Sequence, residues 1–322
     1  MGKKECIGII TNLNSSKNKK GRFSKNVLQP LLGEWGEVID TASLAEMRNA
    51  VSYFIEKEIS YLGINGGDGT IQKVITEWIR QKRDEDLPNI IPLTGGSTNA
   101  MVRFLSARAY NPATIVKRFM KKFMKNEVDL IEIALLKVEG DQLEHPQYGI
   151  TFANGTILRF IERYLQYGKP GIRWVLKEIM QTIGGIAMNV KEYRELIEPI
   201  RAKVIIDGIP FPSETVKAAV ATSISEPFPT LTPFRKVSKN RMEFYYIVSD
   251  LDIFTALRNA HNLLWGFDLV RYEFSGYHWM GAGKKMTIET DEGFIIDGEL
   301  FHPEEWSKIT VTSGIKVNFV YP

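Results

Sequence analysis

Over the first 126 residues, short apolar runs alternate with segments whose apolar residues recur every three or four positions. The runs predict buried strands, and the spaced segments predict amphipathic helices. A capping box, Ser43 to Glu46, marks the start of one helix. Strands that alternate with helices in this way predict an α/β domain with a doubly wound parallel sheet. The predicted strands are 6–12, 37–40, 61–65 and 89–93, and the predicted helices are 23–35 (interrupted near Pro30), 43–58, 70–82, 98–105 and 112–126.

From residue 127 onward, the chain changes to β-rich segments, most of them separated by turn residues. This pattern predicts a mostly antiparallel β-sandwich or half-open barrel. Helical spacing interrupts it over 157–193 and 251–266. We therefore expect two domains, residues 1–126 and residues 127–322, with a cleft between them and the last segment free to pack back on the first domain. The predicted strands are 128–138, 147–153, 201–207, 215–223, 241–248, 285–289, 293–296 and 308–320.

The composition favours a globular protein and excludes several classes of function. Of 322 residues, 44% are hydrophobic and 25% are charged, which excludes disordered chains and disulfide scaffolds. The net charge of +3 is too small for a dedicated nucleic-acid binder. Cys6 is the single cysteine, so neither an internal disulfide nor a cysteine zinc site is expected. We find no apolar stretch approaching about 18 residues and no secretory signal, and we expect a cytoplasmic protein.

The strongest chemical signal is Asn65-Gly66-Gly67-Asp68-Gly69-Thr70, between a predicted strand and a predicted helix. Glycines let the backbone approach a ligand closely, and the start of a helix offers free N–H groups to phosphate. A carboxylate in a phosphate site calls for a cation between the two charges. Asp68 is therefore interpreted as a contact to nucleotide-bound Mg²⁺. The alternative is a glycine turn in which Asp68 caps a helix.

A second turn, Gly95-Gly96-Ser97-Thr98-Asn99, repeats this arrangement after the next strand. Alone it is also compatible with an ordinary loop. Two such turns after consecutive parallel strands would lie side by side at the edge where open α/β sheets bind ligands. Together they predict a nucleotide site.

A third segment, Asp297-Gly298-Glu299, places two carboxylates around a glycine after an apolar run. Taken by itself, it is better interpreted as an ordinary β-turn.

The three segments in this order resemble the diacylglycerol-kinase-type catalytic fold, a family that includes bacterial lipid kinases, sphingosine kinases and ceramide kinases. The resemblance extends over nearly the whole chain and implies an α/β domain followed by a β-sandwich domain. The first motif alone is shared with NAD kinases and some phosphofructokinases, so the specificity comes from the three together.

The resemblance implies an ATP-dependent lipid kinase that uses Mg²⁺ and phosphorylates a hydroxyl of a diacylglycerol- or sphingoid-like lipid in the interdomain cleft. Glu299 matches the glutamate that accepts the proton of the lipid hydroxyl, and Asp68 is the second catalytic residue. The implied nucleotide-binding residues are Asn12, Asn14, Ser15, Ser16, Thr41, Gly66, Gly67, Asp68, Gly69, Thr70, Ile71, Gln72, Gly96, Ser97, Asn99 and Asp297.

The sequence departs from the family pattern at four places. The usual Asn-Pro-x-Ser-Gly loop is Asn12-Leu13-Asn14-Ser15-Ser16 here, followed by a basic run over 17–22. Gln72 replaces an Asn, and Ala100 replaces an Asp. Lys239-Asn240 stands roughly where bacterial members have an Asp-Gly that holds a structural Mg²⁺. Two rival interpretations stay open. The shared first motif leaves an NAD kinase as one, and Ala100 with the changed metal position leaves a catalytically impaired protein of the same fold that binds lipid or nucleotide as the other.

Two stretches combine basic and apolar residues in a way that suits the surface of an anionic membrane. For residues 117–125, a helix with its apolar face in the core is the favoured alternative, whereas for residues 159–177 the two interpretations are equally favoured. The expected partners are thus a lipid substrate and peripherally an anionic membrane, without nucleic acid. The sequence leaves a homodimer open.

Overall fold

The computed structural model describes residues 7–82, 87–96, 99–105, 110–167, 172–227, 232–266, 276–303 and 305–321. The chain forms two compact units. The first unit extends to Leu135 and adds Gln147–Gly149 and the residues from Gly314 onward. The second unit comprises Leu136–Pro146 and Ile150–Ser313.

The first unit contains a parallel sheet with the strand order β2-β1-β3-β4. Helices follow the strands along the chain, as the alternating pattern predicts. The strands are β1 (Ile7–Asn12), β2 (Gly36–Thr41), β3 (Tyr61–Gly66) and β4 (Asn89–Thr94), and the helices are α1 (Lys25–Leu32), α2 (Leu44–Glu56), α3 (Asp68–Lys82), α4 (Ala100–Leu105) and α5 (Pro112–Phe123).

The helices cover both faces of this sheet because the side chains of β1 alternate between them. Ile7 and Ile9 belong to a core shared with Leu28 of α1 and Phe119 of α5. Gly8 faces the other way, where an added Cβ would lie 2.8 Å from the ring of Phe54 in α2. The doubly wound parallel sheet predicted from the sequence is confirmed.

Local signals explain where two of these helices begin and end. The side chain of Ser43 accepts a hydrogen bond of 3.2 Å from the backbone N–H of Glu46, which forms the predicted cap of α2. Helix α5 ends at Phe123 rather than at the predicted Asn126, because the last turn tightens and Asn126 adopts a positive φ of 56°.

The chain joins the two units through shared strands. Strand β5 (Leu130–Gly140) begins in the first unit and ends in the second, and β6 (Gln147–Gly149) belongs to the first. The last strand, β17 (Ser307–Val320), begins in the second unit, and its Phe319 pairs in parallel register with Ile90 of β4.

The second unit contains antiparallel sheets on either side of an apolar core. One sheet has six strands in the order β13-β12-β11-β7-β15-β16. In the other sheet, β8 pairs with β9, β10 and β14. Strand β14 in turn pairs with the start of β17. The strands are β7 (Thr151–Gly155), β8 (Ile200–Ile206), β9 (Ile209–Pro210), β10 (Thr215–Val216), β11 (Ala218–Thr222), β12 (Phe244–Ser249), β13 (His278–Gly283), β14 (Lys285–Thr290), β15 (Phe294–Ile296) and β16 (Glu299–Phe301).

Strict alternation of buried and exposed residues along β8 shows how this sandwich forms. The inward residues Ala202 and Val204 share one core with Phe152 of β7 and Ile288 of β14. The β-rich region expected after residue 127 is thereby confirmed.

Helices interrupt the second unit at both predicted places. The segment expected over 157–193 forms α6 (Thr156–Gln166), α7 (Ile172–Ala187) and α8 (Lys191–Leu196). The segment over 251–266 forms α9 (Ile253–Arg258) and α10 (Ala260–Trp265). Within the described part of the chain, none of the helices has the length and apolar character needed to cross a bilayer.

In the two basic stretches, many of the side chains that were considered for membrane contact are engaged within the protein. In α5, Phe119, Met120 and Phe123 are buried in the core, whereas Lys117 and Lys121 are exposed. The apolar face of α5 therefore packs in the core of the first unit, which is the alternative that the sequence favoured for residues 117–125.

In the second stretch, both arginines of α6 are engaged within the protein. Arg159 bonds to the carbonyl of Glu198 at 2.7 Å and pairs with Glu292. Arg163 pairs with Glu178 and Glu192. These two arginines hold the helical insertion together.

Candidate active site

The first glycine turn connects β3 to α3, and its geometry depends on the missing side chains. The carbonyl of Gly67 accepts hydrogen bonds from Thr70 N at 2.9 Å and Ile71 N at 3.1 Å, so the helix starts at Asp68 rather than at the predicted Thr70. A Cβ at Gly66 would lie 2.3 Å from Cβ of Thr70. Only glycine fits at position 66 while α3 keeps this start.

The second glycine turn lies directly against the first. An added Cβ at Gly96 would approach Cα of Gly67 to 2.3 Å. In contrast, a Cβ at Gly67 would have Cα of Gly96 as its nearest neighbour, at an ordinary 3.4 Å. The two turns lie side by side where β3 and β4 end, as the sequence predicts, and no atom of the described residues comes closer than 3.4 Å to a Cβ added at Gly67.

Asn99 fixes the second turn from within. This residue is 2% exposed and has a positive φ of 50°. Its side chain accepts from Gly96 N at 3.1 Å and donates to Gly96 O at 2.8 Å. The amide of Asn99 therefore shapes the turn. Two other predicted members of this turn, Ser97 and Thr98, lie outside the described residues.

The loop after β1 is joined to the first turn and to β2. Asn12 donates to Thr70 Oγ1 at 3.0 Å. Asn14 donates to the carbonyl of Ala42 at 2.7 Å, and Thr41 donates to the carbonyl of Thr11 at 3.1 Å. These bonds bring Asn12, Asn14, Thr41 and Thr70 to one edge of the sheet.

The serines of this loop and Gly69 lie close to those residues along the chain. Ser15 N bonds to Asn12 O at 3.2 Å, and Ser16 is exposed. Gly69 is the second residue of α3. The structure thus places these predicted nucleotide contacts at the carboxyl ends of β1 and β3.

Two buried asparagines, Asn18 and Asn65, lie beneath the turns, and their structural roles are not predicted from the sequence. Asn18, which is 0% exposed, donates to the carbonyls of Asn12 and Asn65, at 2.9 Å each. Asn65 donates to the carbonyl of Phe23 at 2.9 Å. A Cβ at Gly95 would lie 2.7 Å from Asn18 Nδ2 and 2.8 Å from Asn65 Oδ1. The two amides and Gly95 together hold the loop and both turns in place.

The carboxylate of Asp68 lies between the two turns. Its oxygens accept hydrogen bonds from Ala100 N at 3.0 Å and Met101 N at 3.3 Å, so it caps α4. Desolvation raises the pKa of Asp68, against the lowering effect of these backbone bonds and of Arg103. Capping uses one lone pair on each oxygen and leaves acceptor capacity for a further ligand. The cap is therefore observed, and a Mg²⁺ contact is compatible with it.

Ile71 and Gln72 direct their side chains into the first unit. Ile71 is 3% exposed and Gln72 is 2% exposed. Gln72 donates to Gln147 Oε1 at 2.9 Å and to Thr76 Oγ1 at 3.3 Å. The side chain of Ile71 is thus buried, and that of Gln72 bonds within the first unit. A contact of either residue with a nucleotide stays a prediction.

Asp297 and Glu299 belong to the second unit, at the turn between β15 and β16. Asp297 has a positive φ of 48°, and its carboxylate accepts from Ile150 N at 2.8 Å and Thr151 N at 2.9 Å. It thereby ties the turn to the start of β7. Glu299 is partly exposed at the start of β16, an edge strand.

The turn at Lys239-Asn240 is closed by Glu243. Asn240 donates to the carboxylate of Glu243 from both its backbone N, at 2.8 Å, and its side chain, at 2.9 Å. Lys239 donates to Glu243 O at 3.0 Å. Across the part of the chain that the structure describes, no group of three or more His, Cys, Asp or Glu residues could hold a metal by itself.

The residues of the first unit fit a nucleotide with its metal. Gly66, Gly67 and Gly96 expose backbone at the two turns, and among the described residues only an ordinary contact of 3.4 Å would meet a Cβ added at Gly67. The first turn of the 15-residue helix α3 adds N–H groups suited to phosphate. Mg²⁺ is commonly bound by one or two carboxylates together with phosphates, so Asp68 alone meets the requirement from the protein.

Comparison with known families gives one match for the first unit. Residues 7–133 match the family model of the diacylglycerol kinase catalytic domain. Among curated proteins, none matches the chain. The matched residues lie within the first unit, which is therefore similar to the catalytic domain of a class of lipid kinases.

Solved structures show that the fold extends over both units. A Bacillus anthracis str. Sterne protein described provisionally as a diacylglycerol kinase superposes with a TM-score of 0.64 at 16% identity, over 99% of this chain and 95% of that chain. Another, described as a diacylglycerol kinase from the same strain, gives 0.62 at 15% identity, over 100% and 98%. At such identities the likeness shows the fold, an α/β region followed by a β-rich region.

Proposed function

We propose that this protein is an ATP-dependent lipid kinase that transfers the γ-phosphate of ATP to a hydroxyl of a diacylglycerol- or sphingoid-like lipid. The observation that carries the proposal is the pair of adjoining glycine turns inside the region that matches the diacylglycerol kinase catalytic domain. Backbone at these turns, together with the start of α3, would hold the phosphates. Mg²⁺ would be bound by Asp68 and would neutralise the charge on the transferring phosphate.

Glu299 is proposed as the general base of the reaction. The acceptor oxygen attacks the γ-phosphorus while the bond to the bridging oxygen of ADP breaks, and the acceptor proton passes to the Glu299 carboxylate. The neighbouring Asp297 is a less suitable base because its two oxygens already accept backbone hydrogen bonds.

Large apolar side chains on the helical insertion support a lipid acceptor. Tyr167, Met180 and Met188 are 58%, 67% and 79% exposed. Exposed apolar patches commonly mark contact with another apolar molecule, and we propose that these three side chains contact the lipid or its membrane. A soluble dinucleotide acceptor, as in NAD kinases, would not require them.

The capping role of Asp68 favours one second candidate, a nucleotide-binding protein without turnover. In that case the carboxylate would serve only to start α4. This candidate predicts ATP binding without phosphate transfer to any acceptor.

An acceptor panel tests the proposal. Release of ADP from Mg-ATP would be measured with diacylglycerol, sphingosine or ceramide in mixed micelles, and with NAD in parallel. We expect turnover with at least one lipid and none with NAD. Turnover with NAD alone would establish the NAD kinase alternative, and ATP binding without turnover would establish the impaired one.

A further inference from the structure

Glu299 lies in a hairpin that is too short to hold its own position. Strands β15 and β16 have three residues each, and Glu299 is the register partner of Ile296. Strand β15 also pairs with β7, whereas β16 has β15 as its single neighbour among the described strands. A two-stranded hairpin by itself is marginally stable at best in water. The position of Glu299 therefore depends on what packs against this hairpin.

The tip of the hairpin is fixed by its turn. Asp297 and Gly298 have φ angles of 48° and 91°, and a two-residue turn of type I′ requires positive values at both positions. The carboxylate of Asp297 also accepts the N–H groups of Ile150 and Thr151. These contacts hold the end of the hairpin that lies next to Glu299.

Helix α6 covers the back of the hairpin with apolar side chains. Leu158 of α6 is 2% exposed and shares a core with Ile295 of β15. Ile161 of α6 and Leu300 of β16 pack against the same core. Because side chains alternate along a strand, Glu299 is on the opposite face of the sheet from Leu300. Helix α6 thus supports the hairpin from behind.

Two polar side chains of α6 contact the base of the hairpin. Nη2 of Arg159 lies 2.7 Å from Oε1 of Glu292, two residues before β15. Oε1 of Glu162 lies 3.3 Å from Nε2 of His302, the residue after β16. The base is closely packed, since a Cβ at Gly293 would lie 2.8 Å from Nδ1 of His302. One helix therefore contacts both strands of the hairpin at their outer ends.

The guanidinium of Arg159 is itself held firmly. Its Nη1 donates to the carbonyl of Glu198 at 2.7 Å and to that of Glu195 at 3.0 Å. The planar guanidinium presents its donors in a rigid fork, so bonds to three groups define the orientation of the side chain. Arg159 can therefore fix the position of Glu292 relative to α6 and α8.

We propose that Arg159 and Glu162 are positioning residues that hold the hairpin of Glu299 in the geometry needed for proton transfer. They act through Glu299, which must come within hydrogen-bond distance of the acceptor hydroxyl. This assignment rests on the proposed function, in which Glu299 is the general base.

A double-mutant cycle between Arg159→Gln and Glu299→Gln tests the assignment. Turnover would be measured with γ-labelled ATP and whichever of diacylglycerol, sphingosine and ceramide the wild type phosphorylates in mixed micelles. We expect Arg159→Gln to lower kcat by about tenfold with KM for ATP within about twofold of wild type, since small misplacements of a catalytic group are costly. In the Glu299→Gln background, the same change should alter kcat by less than about twofold, because residues that act as a unit are not additive. Losses that multiply in the double variant would overturn the proposal.

Arg163→Gln is the matched control on the same helix. Arg163 pairs with Glu178 and Glu192 and not with the hairpin, so its substitution should lower the melting temperature. Any loss of kcat that it causes should multiply with the loss in Glu299→Gln. A non-additive loss in this control as well would overturn the proposal, because the effect would then belong to the whole helical insertion.

Glu162 is tested by two substitutions. Glu162→Ala removes the contact with His302 and should lower kcat, whereas Glu162→Gln keeps an acceptor there and should restore most of it. Wild-type kcat in Glu162→Ala would overturn the role of Glu162.

Hydrogen exchange gives a readout that does not need turnover. Arg159→Gln should speed exchange over residues 294–301, with β8 as the internal reference, and Arg163→Gln should not. Unchanged exchange over the hairpin, in a protein that phosphorylates lipid, would make this inference wrong while the proposed function stands. A wild type that phosphorylates no lipid would instead contradict the proposed function, and the positioning role with it.

Discussion

At the scale of single residues, Asp68 has an observed capping role and a proposed metal-binding role, and a substitution can separate the two. Asp68→Asn keeps one acceptor for the backbone of α4 and leaves one of the N–H groups of Ala100 and Met101 without its carboxylate partner. We expect the free energy of unfolding to fall by about 1 kcal/mol. If the carboxylate also holds Mg²⁺, phosphate transfer should fall about 10²-fold or more. Turnover near the wild-type rate would leave only the capping role.

The raised pKa of Asp68 predicts a pH dependence. Ionised Asp68 is required in this mechanism, and its ionised fraction falls as the pH decreases through its pKa. Because desolvation raises that pKa, the acid limb of kcat/KM should lie above the usual range of an aspartate.

Asp40 provides the control for this profile. Its pKa is also raised by burial, but its carboxylate bonds to Lys25 N at the start of α1. Asp40→Asn should keep the acid limb. If Asp40→Asn loses the acid limb, the titrating group is Asp40 and not Asp68.

Gly67 and Gly96 should respond in opposite ways to substitution. Gly67→Asp places its Cβ at an ordinary distance from Gly96, so the fold should persist while the added carboxylate repels phosphate. Circular dichroism should remain native while ATP binding is lost. Gly96→Ala would place a Cβ 2.3 Å from Gly67 Cα and should lower the melting temperature. Unchanged ATP affinity in Gly67→Asp would show that the phosphates bind elsewhere.

Glu299 and Asp297 form a matched pair of carboxylates two residues apart. Glu299→Gln should leave ATP affinity nearly unchanged and lower kcat by roughly 10²–10⁴-fold, the loss expected for a general base. Asp297→Asn should mainly reduce stability, because the backbone N–H of Ile150 or of Thr151 loses its carboxylate acceptor. Glu299 is a nucleotide ligand instead if its substitution weakens ATP binding as much as it slows turnover.

At the scale of elements, α5 shows why its basic stretch is stable without a membrane. Phe119 and Phe123 pack on Tyr61 of β3, with ring centroids 5.2 and 5.7 Å apart. Lys122 bonds to Asp129 and to the carbonyl of Tyr321, both at 3.2 Å. A membrane contact through α5 would therefore use the exposed lysines and not the aromatic face.

Charge reversal on α5 tests that contact. Lys117→Glu with Lys121→Glu changes exposed residues only, and anionic-vesicle binding should weaken if α5 contributes about 1 kcal/mol per lysine. Activity on a lipid dispersed in detergent should stay at the wild-type level. Equal loss of activity on vesicles and on dispersed lipid would contradict a membrane role.

Sequence patterns predicted most elements of the first unit, because its strands and helices are long and periodic. In the second unit they missed β13, β16 and the two-residue β9. Strand β13 contains two glycines and lacks alternation, and β16 has three residues, too few for a pattern. The glycine turns could be predicted from short sequence motifs. The role of Asn18 could not, because its partner Asn65 is 47 residues away along the chain. Likewise, the role of Asp297 depends on Ile150, which no local signal indicates.

At the scale of the whole molecule, the first unit is assembled from both ends of the chain. Phe319 and Val320 are 0% and 1% exposed, and Val320 belongs to the core that contains Ile7 and Phe119. A fragment of residues 1–126 would lack the strand beside β4. We expect this fragment not to unfold cooperatively, as measured by circular dichroism on heating. A sharp transition would show that the terminal strand is dispensable.

The central claim is that the paired glycine turns and Asp68 serve phosphate transfer from ATP to a lipid. The most direct test incubates the protein with γ-labelled ATP, Mg²⁺ and a total lipid extract, and identifies the labelled product by mass, with Asp68→Asn as the control. We expect one labelled lipid phosphate with wild type and little or none with the variant. A wild-type protein that binds ATP but labels no lipid would contradict this claim.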